Sequence, residues 1–451
     1  MRKLINILKN KEIMGRIVFT IMILFIFRLG AQVTVPGVTI PDSSTLNTYL
    51  SGNNPLSLMN LLGGGTLQSF SIFALGVSPY ITAQIIVQLL STDVLPALTE
   101  LKRQGQYGRK KMEMATRYLT LMLGAVQAYG IIKTMETSDL VTFTAGDNPW
   151  LTYVYVVIVM LAGSMIVMWL GDQISVKGIG NGISMIIFAG IVTSLPNQIS
   201  TAFQRWILAA NPGDAAKISG VFSFLLYILS FLLIISFVTF VELSKRKIPV
   251  QHSGKGGGQT QSMAKASFLP IKINSAGVIP VIFASSIMTA PSIIVAFIGG
   301  DTNAEWLHVF SSNQMTNMGS WSMPWGLIIY LALTIMFTFF YANLQINPEQ
   351  LAENFQKNGS YIPGVRPGLE TERYVRKVLN RVTFIGAMAL AIIAALPSVL
   401  TLTVFKDYPS LALGGTGLII VVGVALELNS QIDGLLAGKS FEEVVASGGR
   451  D

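Results

Sequence analysis

Cysteine is absent from this 451-residue chain, histidine occurs twice, and only 12% of the residues are charged. Without cysteine there can be no disulfide, thiolate metal site or cysteine nucleophile, and the redox compartment is left open. His252 and His308 lie far apart in sequence in loop-like surroundings, so neither a metal site nor a proton relay is expected of them. Charge at about half the level of an average soluble domain, beside 51% hydrophobic residues, makes this a membrane protein. No soluble domain is left over between its apolar runs.

Those runs recur at the length needed to cross a hydrocarbon core of about 30 Å. They predict ten spans, at 17–35, 74–92, 117–132, 150–170, 179–196, 219–241, 275–298, 325–345, 382–402 and 411–428. The basic residues before Ile17 imitate a signal peptide, but Arg28 directly follows the apolar run without a small-residue cleavage pattern. The segment is therefore read as a retained first span. With the N-terminus inside, the inner segments hold 26 of the 31 lysines and arginines and the outer segments four, with Arg28 inside the first span. Acidic residues divide fifteen inside and eight outside. The positive-inside rule then places both termini in the cytosol. Two long inner loops, 242–274 and 346–381, carry much of the basic excess. Such loops orient a chain and attract anionic lipid; their length favours partner docking as well. Ten spans divide into five and five, and an odd number per half makes the halves opposite in orientation if they share a fold. No residue-level repeat accompanies that division.

Embedded carboxylates, which ion-coupled transport usually needs, are also missing, and Arg28 is the one clearly embedded charge. A secondary transporter of a small solute is the alternative, and it would need a compact polar site near the midplane. Two glycine clusters fail as nucleotide sites. In GLLAGKS (434–440) three residues separate the glycines where a phosphate-binding loop needs four, and GIGNG (178–182) lacks the third glycine of a dinucleotide fingerprint. Both read as backbone turns. No coherent catalytic set supports an enzyme, and no cofactor is implied.

Aliphatic pairs stand at helical spacing in the spans: Val77 with Ile81, and Ile183 with Ile187. Taken alone these are packing or lipid-facing residues. In the inner loop 346–381, PGVRPG (363–368) combines two prolines that fix φ with two glycines that permit tight turns, which holds Arg366 at the tip of a stiff loop. The stretch NLLGGGTLQSFSIF (60–73) is too rich in glycine and polar residues for a lipid-facing helix and too apolar for a wetted loop.

Over nearly its whole length the chain resembles the SecY family, central subunits of the bacterial protein-conducting channel. SIFALGVSPYITAQIIVQLL (71–90), GIGNGISMIIFAGIV (178–192), NSAGVIPVIFASSI (274–287), PGVRPG (363–368) and GGTGLIIVV (414–422) carry the likeness, in the family's order. The resemblance implies an all-α membrane protein. Its ten transmembrane helices form two pseudo-symmetric, inverted five-helix halves, 1–196 and 197–431, with a cytosolic tail at 432–451. Such a clamshell opens to lipid between the second and seventh spans. Val77, Ile81, Ile183, Ile187, Ile282 and Ile420 match the family's pore ring, a hydrophobic constriction that seals by dewetting. The family pattern is mostly isoleucine, so Val77 is expected to leave the ring looser. Leu61, Leu62, Gly63, Gly64, Gly65, Thr66, Leu67, Gln68, Ser69 and Phe70 match the plug, about 61–71, a short half-helix in the outer funnel. Gln88 and Asn274 match polar positions of the lateral gate.

Function and partners follow from the same likeness. It implies a gated channel that translocates unfolded secretory polypeptides and inserts membrane proteins laterally, in the bacterial plasma membrane. Arg366 and the two inner loops match surfaces that bind the SecA motor ATPase or a translating ribosome. SecE and SecG are the implied small membrane subunits, and signal peptides, unfolded chains and lipid are the implied substrates and surroundings. The tip HSGKGGGQTQ (252–261) is more glycine-rich and less basic than the family pattern.

Overall fold

The structure, a computed structural model, describes residues 10–41, 45–46, 60, 63–92, 96–143, 149–208, 214–252, 267–298, 304–310, 316–318, 321–403 and 415–447. Leu61, Leu62 and residues 253–261 lie outside these. The helices are α1 (Lys11–Gly30), α2 (Ser78–Leu90), α3 (Pro96–Arg103), α4 (Gln106–Thr137), α5 (Pro149–Lys177), α6 (Gly182–Phe203), α7 (Asp214–Leu243), α8 (Ile279–Ile298), α9 (Trp325–Gln345), α10 (Pro348–Lys357), α11 (Leu369–Thr403) and α12 (Gly415–Ser447). The strands are β1 (Val38–Thr39), β2 (Thr142–Phe143), β3 (Lys245–His252), β4 (Ser267–Lys272), β5 (Thr316–Met318), β6 (Trp321–Met323) and β7 (Ser360–Tyr361).

Each of the ten sequence spans has its own helix: α1, α2, α4 to α9, α11 and α12. Several helices outrun their apolar stretches at one end. Thus α4 starts at Gln106 and α11 at Leu369, while α12 continues to Ser447, so the tail expected at 432–451 is helical over 432–447. Hydropathy registers the apolar part alone, whereas a helix keeps its backbone bonded through polar residues as well.

Among the described residues, seven helices are long and apolar enough to cross a membrane, and the apolar stretches Ser78–Leu90 and Ile279–Val295 are shorter. At 1.5 Å per residue α2 covers about 20 Å, less than a bilayer core. The depth is completed by residues 63–77, which run in turns and are largely buried in protein, as non-helical backbone at membrane depth must be.

The two basic inner loops form one body. Strands β3 and β4 pair antiparallel, with Ile248 opposite Leu269, and β7 joins the free edge of β3, with Gln251 opposite Tyr361. Ile248 and Ile271 pack with Ile362, Val375, Leu379 and Val382 in a separate small core. His252 closes β3 and pairs with Ser360, so it is a strand residue and not a loop one. On the opposite side β1 pairs with β2, and the hydroxyls of Thr39 and Thr142 lie 2.7 Å apart.

Candidate functional site at the aliphatic ring

Ile183, Ile187 and Gly190 stand at i, i+4 and i+7 on α6 and form one stripe along that helix. Asn181 sets the start of the helix, its carboxamide oxygen accepting from the backbone N–H of Ile183 and Ser184 at 3.1 and 3.4 Å. Val77, Ile81, Ile187, Ile282 and Ile420 are buried members of a single hydrophobic cluster, and Ile183 packs against it half-buried. These six come from four helices or their caps, two in each half of the chain. Val77 at the cap of α2 is only 1% exposed.

Beside this cluster the glycine stretch is a string of turns and contains no half-helix over 63–70. Gly64 and Gly65 have φ of +80° and +78°, and Phe70 has φ of +42°, values that no right-handed helix accepts. Short bonds close the turns instead, Gln68 N–H to Gly65 O at 3.3 Å, Phe70 N–H to Leu67 O and Ser71 N–H to Thr66 O at 3.1 Å. The buried Thr66 hydroxyl donates to the Gly63 carbonyl at 3.0 Å and lies 2.9 Å from that of Phe73. Ser69 reaches the Ala31 carbonyl at 2.9 Å, while Val35 N–H to Phe70 O and Ile72 N–H to Val33 O lace the stretch to the end of α1. Leu67 and Phe70 sit in a second cluster with Ala128, Ile131 and Met135 of α4. The mixed composition thus fits its surroundings, since Leu67 and Phe70 are buried in protein while Thr66, Ser69 and Ser71 donate to backbone carbonyls. Arg28, the embedded charge, points Nη1 at the Gly64 carbonyl at 3.4 Å.

The two gate positions are tied to different neighbours. Half-buried Gln88 on α2 is hydrogen-bonded to the Tyr341 hydroxyl of α9. Asn274, buried ahead of α8, donates through Nδ2 to Glu242 Oε2 at 2.9 Å and to the Gly277 carbonyl at 3.0 Å. Helices α2 and α8 are packed together. The GIGNG turn joins both halves of the chain: Ile179 N–H donates to Thr20 Oγ1 of α1 at 3.1 Å, and Gly180 N–H to Gln431 Oε1 of α12 at 2.9 Å. Neither bond was legible in the sequence, which offered only the turn.

Arg366 is exposed at the tip of its loop. Gly364 and Gly368 have φ of +81° and +99°, and Glu370 Oε2 accepts from Arg366 N–H at 3.4 Å while Thr371 Oγ1 donates to its carbonyl at 2.9 Å. Near the C-terminal end of α4 Lys133 bonds Glu136 at 3.0 Å, and the Tyr153 hydroxyl donates to the same Glu136 oxygen. Burial pushes the Glu136 carboxyl up, but the bonds from Tyr153 and Lys133 outweigh it and hold the group below its ordinary range. The Glu136 contact, foremost, holds the Lys133 ammonium above its own. No group of three or more metal-ligating side chains occurs among the described residues.

Comparison with known proteins agrees with this arrangement. The chain is 42% identical to the protein translocase subunit SecY of Mycoplasma capricolum, over 96% of this chain and 89% of that one. Its fold is shared with a SecY structure described as one in which the plug domain stabilises the closed state of the translocation channel and maintains a membrane seal, at 18% identity and a TM-score of 0.63 over 94% of this chain and 92% of that one. It is shared as well with Sec61 of the canine ribosome-channel complex, at 17% identity and a TM-score of 0.61 over 94% and 93%. The sequence signature of the SecY family matches residues 71–429, and the chain belongs to that family.

Proposed function

We propose that the chain is a passive, gated conduit for unfolded polypeptides, working in the bacterial plasma membrane with both termini in the cytosol. Residues 1–196 and 197–431 are its two halves. Val77, Ile81, Ile183, Ile187, Ile282 and Ile420 form the constriction, which is dry at rest and yields around a passing chain. The turn at 63–70, with Leu61 and Leu62 ahead of it, is the plug. The seam between α2 and α8, bordered by Gln88 and Asn274, is the exit to lipid for signal peptides and membrane segments. Gln88 and Asn274 bond to α9 and α7 and not to each other, and each such bond is worth about 1 kcal/mol in a membrane, so the seam can part at modest cost. Energy comes from partners, the SecA motor or a ribosome docking on the cytosolic body that carries Arg366, with SecE and SecG as small membrane subunits.

The observation that supports this reading is that Val77, Ile81, Ile187, Ile282 and Ile420, from both halves of the chain, are buried in one cluster with Ile183 packed against it, beside a buried turn that is not helix. A solute transporter would place polar ligands where these isoleucines stand. The test uses the missing native cysteine. Single cysteines at Ile187 and Ile282, and at the lipid-exposed Phe222 of α7, are placed in vesicles engaged with a motor-driven precursor arrested by a folded C-terminal domain. Thiol crosslinks from the first two to the precursor, and none from Phe222, are the expected outcome. Absence of crosslinks at both ring positions in transport-competent vesicles removes the conduit from this cluster.

A further inference from the structure

Glycine inside a helix is less stable than alanine and needs a reason. In α6 the reason at Gly190 is backbone on the other side. A Cβ added there would overlap Gly64 Cα, and a Cβ added to Gly64 would lie 2.9 Å from Gly190 Cα and 3.5 Å from the Phe27 ring. The turn is held from its other side in the same way, since a Cβ on Gly76 would come within 2.5 Å of Gly63 Cα. Ser164 of α5 fixes Gly76 by donating to its carbonyl at 3.0 Å. The paired glycines Gly63 and Gly64 are therefore wedged between two other glycine backbones, one of which stands on the same stripe as Ile183 and Ile187.

We infer that Gly190 is a positioning residue of the seal: its bare Cα is the seat on which the resting plug lies against the ring helix, and a single added methyl group there shifts the plug toward its unseated state. The inference rests on the reading of about 61–71 as a plug and adds which residue of the wall selects the closed state. It also explains why α6 gives up a better helix former one turn beyond Ile187. Interiors at backbone contact have no slack, so a methyl group must be accommodated by moving one of the two surfaces. The turn, held by a few short bonds, is the one that moves.

The experiment places a reporter cysteine at half-buried Gln68 in the full chain and follows its labelling from the outer face with an impermeant thiol reagent, alongside resting conductance in planar bilayers. Gly190→Ala is expected to raise the labelling rate by roughly tenfold, the size of an overpacked contact expressed as an equilibrium, and to raise idle conductance. Gly15→Ala on α1, where an added Cβ meets nothing within 4 Å, is expected to change neither. In a chain lacking residues 61–70, Gly190→Ala is expected to add nothing to the conductance. Unchanged labelling and conductance in folded Gly190→Ala overturns the inference, as does an equal conductance rise with and without residues 61–70, which would place the effect on the ring itself. Should Gly190→Ala accumulate only when 61–70 is removed, the clash with the plug is the cause; failure to accumulate in both chains overturns the inference. The plug reading itself fails on a separate result, no rise in conductance when 61–70 is deleted from the otherwise unchanged chain.

Discussion

Two glycine-rich turns of this chain, at 63–76 and at 363–368, share positive φ and differ in what surrounds them. Around the first, an added Cβ on Gly64 or Gly76 meets another backbone within 3 Å, whereas around Gly364 and Gly368 it meets nothing within 4 Å. Glycine serves close approach in one place and backbone conformation alone in the other. The buried turn presents no side chain to solvent at its tightest point and acts by fitting. The exposed turn presents Arg366, held from behind by Glu370 and Thr371, and acts by display.

The largest effect that separates the two is expected from the displayed side chain. Arg366→Glu is predicted to abolish motor-driven precursor transport in reconstituted vesicles, with the protein still folded and inserted, because reversing one exposed charge repels a partner without touching a span. Normal transport by this variant would remove Arg366 from the docking surface and leave the exposed turn as mere geometry.

Next in size is Gly364→Ala. With open space around the position, the cost is that of forcing an L-residue to φ of +81°, about 1 kcal/mol. Thermal unfolding in detergent is expected to shift slightly, with transport largely kept and idle conductance unchanged. A conductance rise would erase the distinction between the two turns, since it would mean that the exposed one also reaches the seal.

The smallest effect is expected where a tie depends on side chains and no glycine takes part. Glu136 titrates below its ordinary range, so its contribution is present above the carboxyl's unfolded value and is lost as pH falls through the lower folded one. Lys133 titrates above its own, so its share persists at neutral pH and is lost only as pH rises through that raised value. Both side chains are about a third exposed, which limits the pair to about 1 kcal/mol or less. Glu136→Gln is expected to lower stability slightly at neutral pH and to flatten the decline in acid, as read by unfolding midpoints across a pH series. An unchanged acid slope would show that this tie contributes nothing.

Much of the architecture follows from the order of residues alone. The ten spans, the inside bias of basic residues, the aliphatic pairs at i and i+4 and the stiffness of PGVRPG are all local, because hydropathy, helical period and the φ limits of proline and glycine act over a few residues. The composition of 60–73 already excluded both lipid and open water as its surroundings. Where local signals stop, the structure departs from the sequence reading. The stretch 63–70 is a set of turns and not a half-helix, α4, α11 and α12 run on past their apolar parts, and the loops 242–274 and 346–381 share one sheet and one small core. The partners of Gln88, Asn274 and Gly180 come from helices far away in sequence. Most of all, nothing local marks Gly190 as different from any other glycine in a membrane helix. Its neighbour Gly64 is 126 residues earlier in the chain, and a requirement for empty space exists only once two backbones have been brought together. The sequence determined which segments cross the membrane and which turns are permitted; which backbones touch was decided by packing, because contact is a property of pairs that chain order does not encode.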